Sequence, residues 1–453
     1  MTGSAEITRE LDEAIDAWAG DEVFDSVLSR SREDVIEFVE VLAIICRQSP
    51  SDRESSNSCH SFVANTSLSG GRHPCSNSIC RGKKLDELIA FASLYADEVY
   101  IQNPFETLAQ TSPEHITELA RAELVQAIIN YIQLRPLIKT GIVKYAHNMI
   151  ALCERHANEI AKPLSDEIEE KENLLHEILH EHLLESCSVT FDVGSNVGPF
   201  LEFVGPASII EHGRKYLYIH EPHPEFFDSL KKQQTPYELS RTEIVEGKIL
   251  SLIISPILRD LSNQEWHSAL YGTSYLCDQF SQIDLASKLN PGAYALNAGA
   301  FYKALRHNLP TIHCSDGARL VGLREKESEA FAVYRDKMRL MMQESASCNE
   351  SQLTKMFRDE VVPELNRIDK KVREWKTTAL GDAREKIVFG SGIVAIGLFT
   401  GILPPNIGQI VAAIGGASAL TGILQDLNKS LKGHDEARKN DFYFLWQARG
   451  KEI

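Results

Sequence analysis

One segment restricts the folding of this chain more than any other. Residues 387–425, IVFGSGIVAIGLFTGILPPNIGQIVAAIGGASALTGILQ, run for 39 positions without a charged side chain. In a chain that is 25% charged, independent placement gives such a run a chance on the order of 10⁻⁵ at any one start, and a membrane span asks for only ~20 apolar residues. Water is therefore kept from this segment, by lipid or by other protein. Pro404-Pro405-Asn406 divides it into two arms, because a proline pair stops helices and Asn suits a turn. The expectation is an apolar, Gly-rich helical hairpin.

The glycines and the flanking charges extend that expectation. Gly397 and Gly401 stand four apart, and Gly408, Gly415, Gly416 and Gly422 recur in the second arm. Small residues let helices touch closely, the main route to pairing in lipid. Residues 367–386 carry seven Lys or Arg against four acids, and Lys429, Lys432, Arg438 and Lys439 follow the block. Basic residues at both ends and none in the turn predict that both ends stay cytoplasmic. DFYFLWQ, residues 441–447, reads as an aromatic segment for the membrane interface. The expected partner is a lipid bilayer. The expected protein is intracellular and cytoplasmic, held at the inner face of a membrane, and acts by binding or membrane contact.

Bulk composition narrows the remaining choices. At 453 residues the chain is too long for a single core. A net charge of −17 argues against general binding to nucleic acid, which needs a basic surface. Residues 1–30 hold no basic-then-apolar leader, so no secretory signal is read there. The nine cysteines are odd in number and widely spread, and read as reduced thiols.

Periodicity predicts an α-rich α+β protein in five stretches. Residues 1–48 are N-terminal helices, 49–82 a flexible Ser-, Asn- and Gly-rich loop, and 83–187 a helical region. A short strand, Val99–Gln102, interrupts that region. A helix opening at Thr111-Ser112-Pro113 is expected to reach about Leu134, where Arg135-Pro136 breaks it. Residues 188–325 form a small mixed α/β region with β-rich runs at SVTFDV, KYLYIH and ILSLIIS, the last broken at Pro256. Residues 326–453 are helical again and contain the hairpin. Met338, Met341 and Met342 lie at helical spacing and read as core.

Three groups of residues carry candidate chemistry. HEILH, residues 176–180, resembles the zinc-binding helix of the zincin metalloproteases. That resemblance implies His176 and His180 as ligands one turn apart and Glu177 as the base acting on bound water. It covers five residues; Glu181 and His182 follow where zincins carry uncharged residues, and a third ligand is not evident. The alternative is an acidic amphipathic helix with the two histidines at the solvent edge of a stripe centred on Leu175. A second group, Cys59, His60, His73, Cys75 and Cys80, could converge on a structural zinc, although no compact CxxC pair is present.

TFDVGSNVGPF, residues 190–200, resembles the first motif of class I S-adenosylmethionine-dependent methyltransferases, and KYLYIHEPHPEF resembles their second. The resemblance implies a cofactor turn at Asp192, Gly194, Asn196 and Gly198, and Glu221 on the ribose hydroxyls. It spans about 40 residues and then departs, because Gly205-Pro206 interrupts the helix that should follow. His313-Cys314-Ser315-Asp316 lacks the turn that a nucleophile needs and is assigned no catalysis. The residues fix neither a cofactor nor an enzyme class.

Overall fold

The Ser- and Asn-rich stretch 49–82 is not a loop throughout. Its residues Ser61–Ala64 form β1, buried along its whole length in the middle of a five-stranded sheet. SFVA is too short to show periodicity, yet Phe62 and Val63 suit a strand, and a central parallel strand is covered on both faces.

This computed structural model describes residues 2–19, 23–47, 60–109, 117–146, 154–156, 158, 161–194, 198–219, 225–271, 273–279, 282, 310–312, 316–344, 350–375, 387–389, 394–396 and 440–448. The first part of the chain runs α1 (Thr2–Ala19), α2 (Val23–Ser29), α3 (Arg32–Arg47), β1, α4 (Ser78–Tyr95), β2 (Glu98–Ile101), α5 (Pro104–Ala109), α6 (Glu118–Lys139) and β3 (Val143–Tyr145). Next come α7 (Glu154–His156), α8 (Lys162–Ser186), β4 (Ser188–Gly194), β5 (Gly198–Val204), β6 (Arg214–Tyr218), α9 (Glu225–Leu230), β7 (Tyr237–Glu238), α10 (Arg241–Glu246) and α11 (Ser251–Tyr271). The last part holds β8 (Ser274–Cys277), β9 (Pro310–Ile312), α12 (Gly317–Lys326), α13 (Ser328–Glu344), α14 (Glu350–Trp375), β10 (Ile387–Phe389), β11 (Val394–Ile396) and α15 (Tyr443–Ala448). The class is α-rich α+β, as composition and periodicity predict.

The chain divides into two compact units. The first comprises residues 1–151, 267–278 and 295–453; the second comprises 152–266 and 279–294. In the first, the sheet order is β11-β8-β1-β2-β3. The strands β8, β1, β2 and β3 are parallel, and β11 closes the β8 edge antiparallel. Helix α4 links β1 to β2. Asn77 caps it by accepting the amide of Ile79 at 3.0 Å. Its Leu85, Leu88, Ile89 and Phe91 are buried, as are Leu124, Ile128, Tyr131 and Leu134 of α6. Gly317 opens α12 against Leu137, where a Cβ would lie 2.7 Å from the leucine Cδ1.

Polar contacts hold the C-terminal part of this unit. Asp97 pairs with Arg324 at 3.2 Å and with Arg335. The Tyr334 hydroxyl donates to that of Tyr95 at 2.8 Å, and Tyr95 donates to the Pro310 carbonyl. Phe442 and Phe444 pack on Tyr334, and Phe444 on Phe331. This corrects the interfacial reading of DFYFLWQ: Phe442, Tyr443, Phe444 and Leu445 are core residues of the first unit.

The expected helical hairpin also needs correction where it can be seen. Within 387–425, Ile387–Phe389 and Val394–Ile396 are strands, not the first arm of a helix. β10 pairs with β9 through Ile387↔Ile312, and β11 pairs with β8 through Val394↔Cys277. β-Branched Ile and Val favour strands, and the Gly390-Ser391-Gly392 between them disfavours a continuous helix. Residues 397–425 lie outside the described residues. Among the described residues no helix is long and apolar enough to cross a membrane.

Two prolines expected to break structure sit inside helices. Pro136 has no N–H for the Ile132 carbonyl, yet α6 continues past it to Lys139. The true stop is Gly141, at φ +77, with the amides of Gly141 and Ile142 bonded to Ile138 and Leu137. ILSLIIS is helical, not β-rich. Ile253, Ile254, Ile257, Leu258 and Leu261 follow the helical period of α11, which carries Pro256.

The second unit holds an antiparallel sheet ordered β6-β5-β4-β7. Val189, Phe191, Leu201 and Phe203 alternate along β4 and β5 and are fully buried on one face. Replacing Phe191 with Ala should cost about 3–5 kcal/mol by transfer and cavity formation. Chemical denaturation followed by limited proteolysis should show residues 152–266 cleaved first. Unaltered stability would refute this core assignment.

Candidate functional site

Strand order and side-chain chemistry meet at the carboxyl ends of β8 and β1. From β1 the chain moves to β2 and then β3 on one side, while β8 lies on the other side of β1. That reversal is a topological switch point, where open parallel sheets bind their ligands. The segment leaving β1 is Asn65–Gly71, and the residue leaving β8 is Asp278.

These residues join in one buried polar cluster. Asn65 Nδ2 donates to Asp278 Oδ1 at 2.7 Å, and Ser67 Oγ donates to Oδ2 at 2.9 Å. Lys84, in α4, places its ammonium 3.2 Å from Oδ2 and 3.1 Å from Glu87. Asn65, Ser67 and Asp278 are each at most 2% exposed. A buried carboxylate is stable only when paired and hydrogen-bonded, and Asp278 has both kinds of partner. Burial draws the pKa of Lys84 down, while the carboxylates of Asp278 and Glu87 draw it up. Together the carboxylates prevail, and the ammonium is held above its ordinary 10.5.

The segment itself is a single turn closed by two glycines. The Asn65 carbonyl accepts the amide of Ser69, and Asn65 Oδ1 accepts the amide of Leu68. Gly71 N–H reaches the Thr66 carbonyl at 2.8 Å and Gly70 N–H reaches that of Ser67 at 3.0 Å, with Gly70 at φ +78. A Cβ on Gly71 would lie 2.7 Å from the Thr66 oxygen, so glycine is required here. The Gly70 carbonyl accepts Arg81 Nε at 2.7 Å and Asn130 Nδ2 at 3.1 Å, and Arg81 pairs with Glu123 at 2.9 Å. On the solvent side, Thr66 Oγ1 meets Gln102 Oε1 at 3.3 Å, at the carboxyl end of β2.

Sequence reasoning missed this cluster. Its members are spread over residues 65 to 278 and match no short motif. The available signal was local: FVAN, then SLSGG, then Asn77 opening a helix, which is the strand, glycine turn and capped helix of a βαβ unit.

The residues singled out from the sequence fall elsewhere. His176, Glu177 and His180 lie on α8, whose buried stripe is Leu175, Leu179 and Leu183. Glu177 is exposed, and the two histidines are half-buried with ring centroids 6.2 Å apart. His176 Nε2 lies 3.4 Å from Ser251 Oγ, while Glu172 and Lys171 bond Ser262 and Glu265, so this face of α8 lies along α11. Among the described residues no three His, Cys, Asp or Glu side chains converge as a metal would require.

In the second metal group, His60 precedes β1 while His73, Cys75 and Cys80 follow it. The strand between them is itself roughly 13 Å long, at about 3.3 Å per residue. Cys59 lies outside the described residues. Cys75 and Cys80 are exposed free thiols.

The glycine turn at 194–198 joins antiparallel strands. Gly194 pairs with Gly198 in a hairpin, and β5 follows where the methyltransferase resemblance implies a helix. From Phe200 to Val204 buried Leu201 and Phe203 alternate with less buried residues, and Gly198 at φ +78 suits a hairpin turn. Asp192 accepts the amide of its neighbour Val193 at 2.7 Å, on an exposed surface. Asn196 and Glu221 lie outside the described residues.

No family model, curated protein or solved structure matches this chain.

Replacing Lys84 with Met strips Asp278 of its cation and should cost about 3 kcal/mol. Because the folded pKa of Lys84 exceeds its unfolded value, its contribution is complete below pH 10.5 and fades as pH rises through the folded value. Urea unfolding of Lys84→Met beside the parent protein should show a gap near neutral pH that closes in strongly alkaline solution. A gap independent of pH would assign Lys84 a packing role alone.

Proposed function

We propose that this protein binds a small polar ligand bearing phosphate, such as a nucleotide, at the carboxyl ends of β8, β1 and β2. One observation supports the reading above all: the buried Asn65–Ser67–Asp278–Lys84 cluster stands at the switch point of a parallel sheet. The cluster holds the 65–71 turn in place. Thr66 and Gln102, both partly exposed, would meet the ligand's hydroxyls. Arg72, paired with Glu123 at 3.5 Å, and Lys83, exposed in the second turn of α4, place positive charge nearby in a protein of net charge −17. No residue is given a catalytic role.

Thermal-shift and calorimetric titration with mononucleotides, dinucleotides and sugar phosphates tests this. At least one compound should bind saturably. The double substitution Thr66→Ala with Gln102→Ala should weaken it at least tenfold, about 1.4 kcal/mol, without lowering the melting temperature. Absence of binding across the panel would end the proposal.

A second reading rests on the 39-residue neutral run: residues 397–425 contact a lipid bilayer and hold the protein at the cytoplasmic face of a membrane. Cell fractionation with a carbonate wash should then leave the protein in the membrane pellet, and Gly401→Asp should release it. Complete recovery in the soluble fraction would exclude this reading.

A further inference from the structure

The second unit's sheet ends in a strand whose chemistry matches that of an identical strand. Among the described residues β6 is the outermost strand beside β5, and the opposite edge, β7, is only two residues long. The hydrogen bonds that flank β6 fix which way its backbone points. Gly205 N–H donates to the Gly213 carbonyl at 3.0 Å, and Ile219 N–H donates to the Pro199 carbonyl at 2.9 Å. Residues 213, 215, 217 and 219 therefore face β5, and the amides and carbonyls of Arg214, Tyr216 and Tyr218 point away from it. The side chains of those same three residues share the wet face of the sheet. Arg214 meets Glu202 at 3.2 Å, and the Phe200 ring packs on Tyr216 and Tyr218 with centroids 5.9 and 5.5 Å away. Tyr216 is still 45% exposed and Tyr218 46%.

We propose that β6 is a self-association surface, pairing antiparallel with β6 of a second copy of this chain across a two-fold axis at Tyr216. Charge selects both the occupant and the register. Outward-facing residues must bond to outward-facing residues, which leaves few two-fold registers. Centring at Arg214 sets Arg214 against its own copy, and centring at Lys215 sets Lys215 against its own. Like charges directly opposite destabilise a sheet. Centring at Leu217 or Tyr218 leaves Arg214 beyond the end of the paired strand. Centring at Tyr216 pairs every residue of β6: Arg214 lies opposite the partner's Tyr218, Lys215 opposite the partner's Leu217, and Tyr216 opposite the partner's Tyr216. No cation then directly faces another, and each guanidinium meets an aromatic ring. Because the two strands are identical the contact is isologous and closes at two copies, joining two four-stranded sheets into one. The inference rests on neither reading given under the proposed function.

Sedimentation velocity of the full-length protein over a range of concentrations tests this. The expected result is a reversible monomer–dimer equilibrium. Tyr216→Pro should abolish the dimer. The N–H it removes points outward, so the ladder to β5 keeps its bonds, as it does where proline stands on a sheet edge. Two charge variants read the register. Tyr218→Glu puts a carboxylate opposite the partner's Arg214 and should tighten the dimer. Tyr218→Lys puts a second cation there and should loosen it, each by roughly threefold because the contact occurs twice in a dimer. Circular dichroism checks that every variant folds; if Tyr216→Pro does not, the opposed shifts of the two charge variants carry the test. A protein that stays monomeric at every concentration would overturn the proposal. So would a dimer that folded Tyr216→Pro leaves intact, or charge variants that move the equilibrium in the same direction.

Discussion

The buried carboxylate of Asp278 is the interaction on which the first unit's organisation depends. It ends β8, accepts from two side chains of the turn after β1, and faces a cation from α4. Three elements far apart in sequence meet at one ionised group. Ionisation makes the arrangement strict. In a low-dielectric interior an unpaired carboxylate is costly enough that the turn, the strand and the helix must adopt mutually compatible positions. Asn65 is central to this geometry, because its amide nitrogen serves Asp278 while its oxygen holds the Leu68 amide. The polar groups exposed above the cluster, Thr66 and Gln102, take their positions from it.

The second unit is organised by different forces. Its sheet has one dry face, formed by Val189, Phe191, Leu201 and Phe203, and one wet face carrying Tyr216 and Tyr218, each exposed. Alternation alone sets that register, since a slip of one residue would send Phe191 to solvent. Lys171 pairs with the buried Glu265 at 2.9 Å and so joins α8 to α11 within this unit. Hydrophobic burial fixes the second unit, and a buried charge fixes the first.

How much of this was legible in the sequence follows from the same contrast. The β4 and β6 runs were readable because alternation is written locally. The strand at Glu98–Ile101 was readable from its Val, Tyr and Ile. The α-rich class followed from the long amphipathic stretches. β1 was not readable, because four residues in a Ser-rich context hold no period and their burial is decided in part by β8, whose Ser274 pairs with Phe62. Pro136 and Pro256 misled for a related reason: a proline's local cost is certain, but tertiary packing decides whether the helix bears it. The candidate site was invisible for the strongest reason. A motif search reads neighbours in the chain, whereas Asn65, Lys84 and Asp278 become neighbours only after the sheet has formed. The motifs that did stand out, HEILH and the 190–200 glycine run, were spellings whose surroundings turned out to be a helix flank and a hairpin.

The pairing of β11 with β8 has a consequence for synthesis. Emerging from the ribosome, β8 is complete at Cys277, yet the strand that covers its outer edge ends at Ile396. For the time needed to translate more than a hundred codons, on the order of ten seconds at 5–20 residues per second, β8 stands as an uncovered edge beside a finished β1. Bare strand edges recruit other chains. A nascent chain of this protein therefore passes through a window in which its main sheet is assembled but unsealed, and the segment that seals it comes from the most water-averse part of the polypeptide.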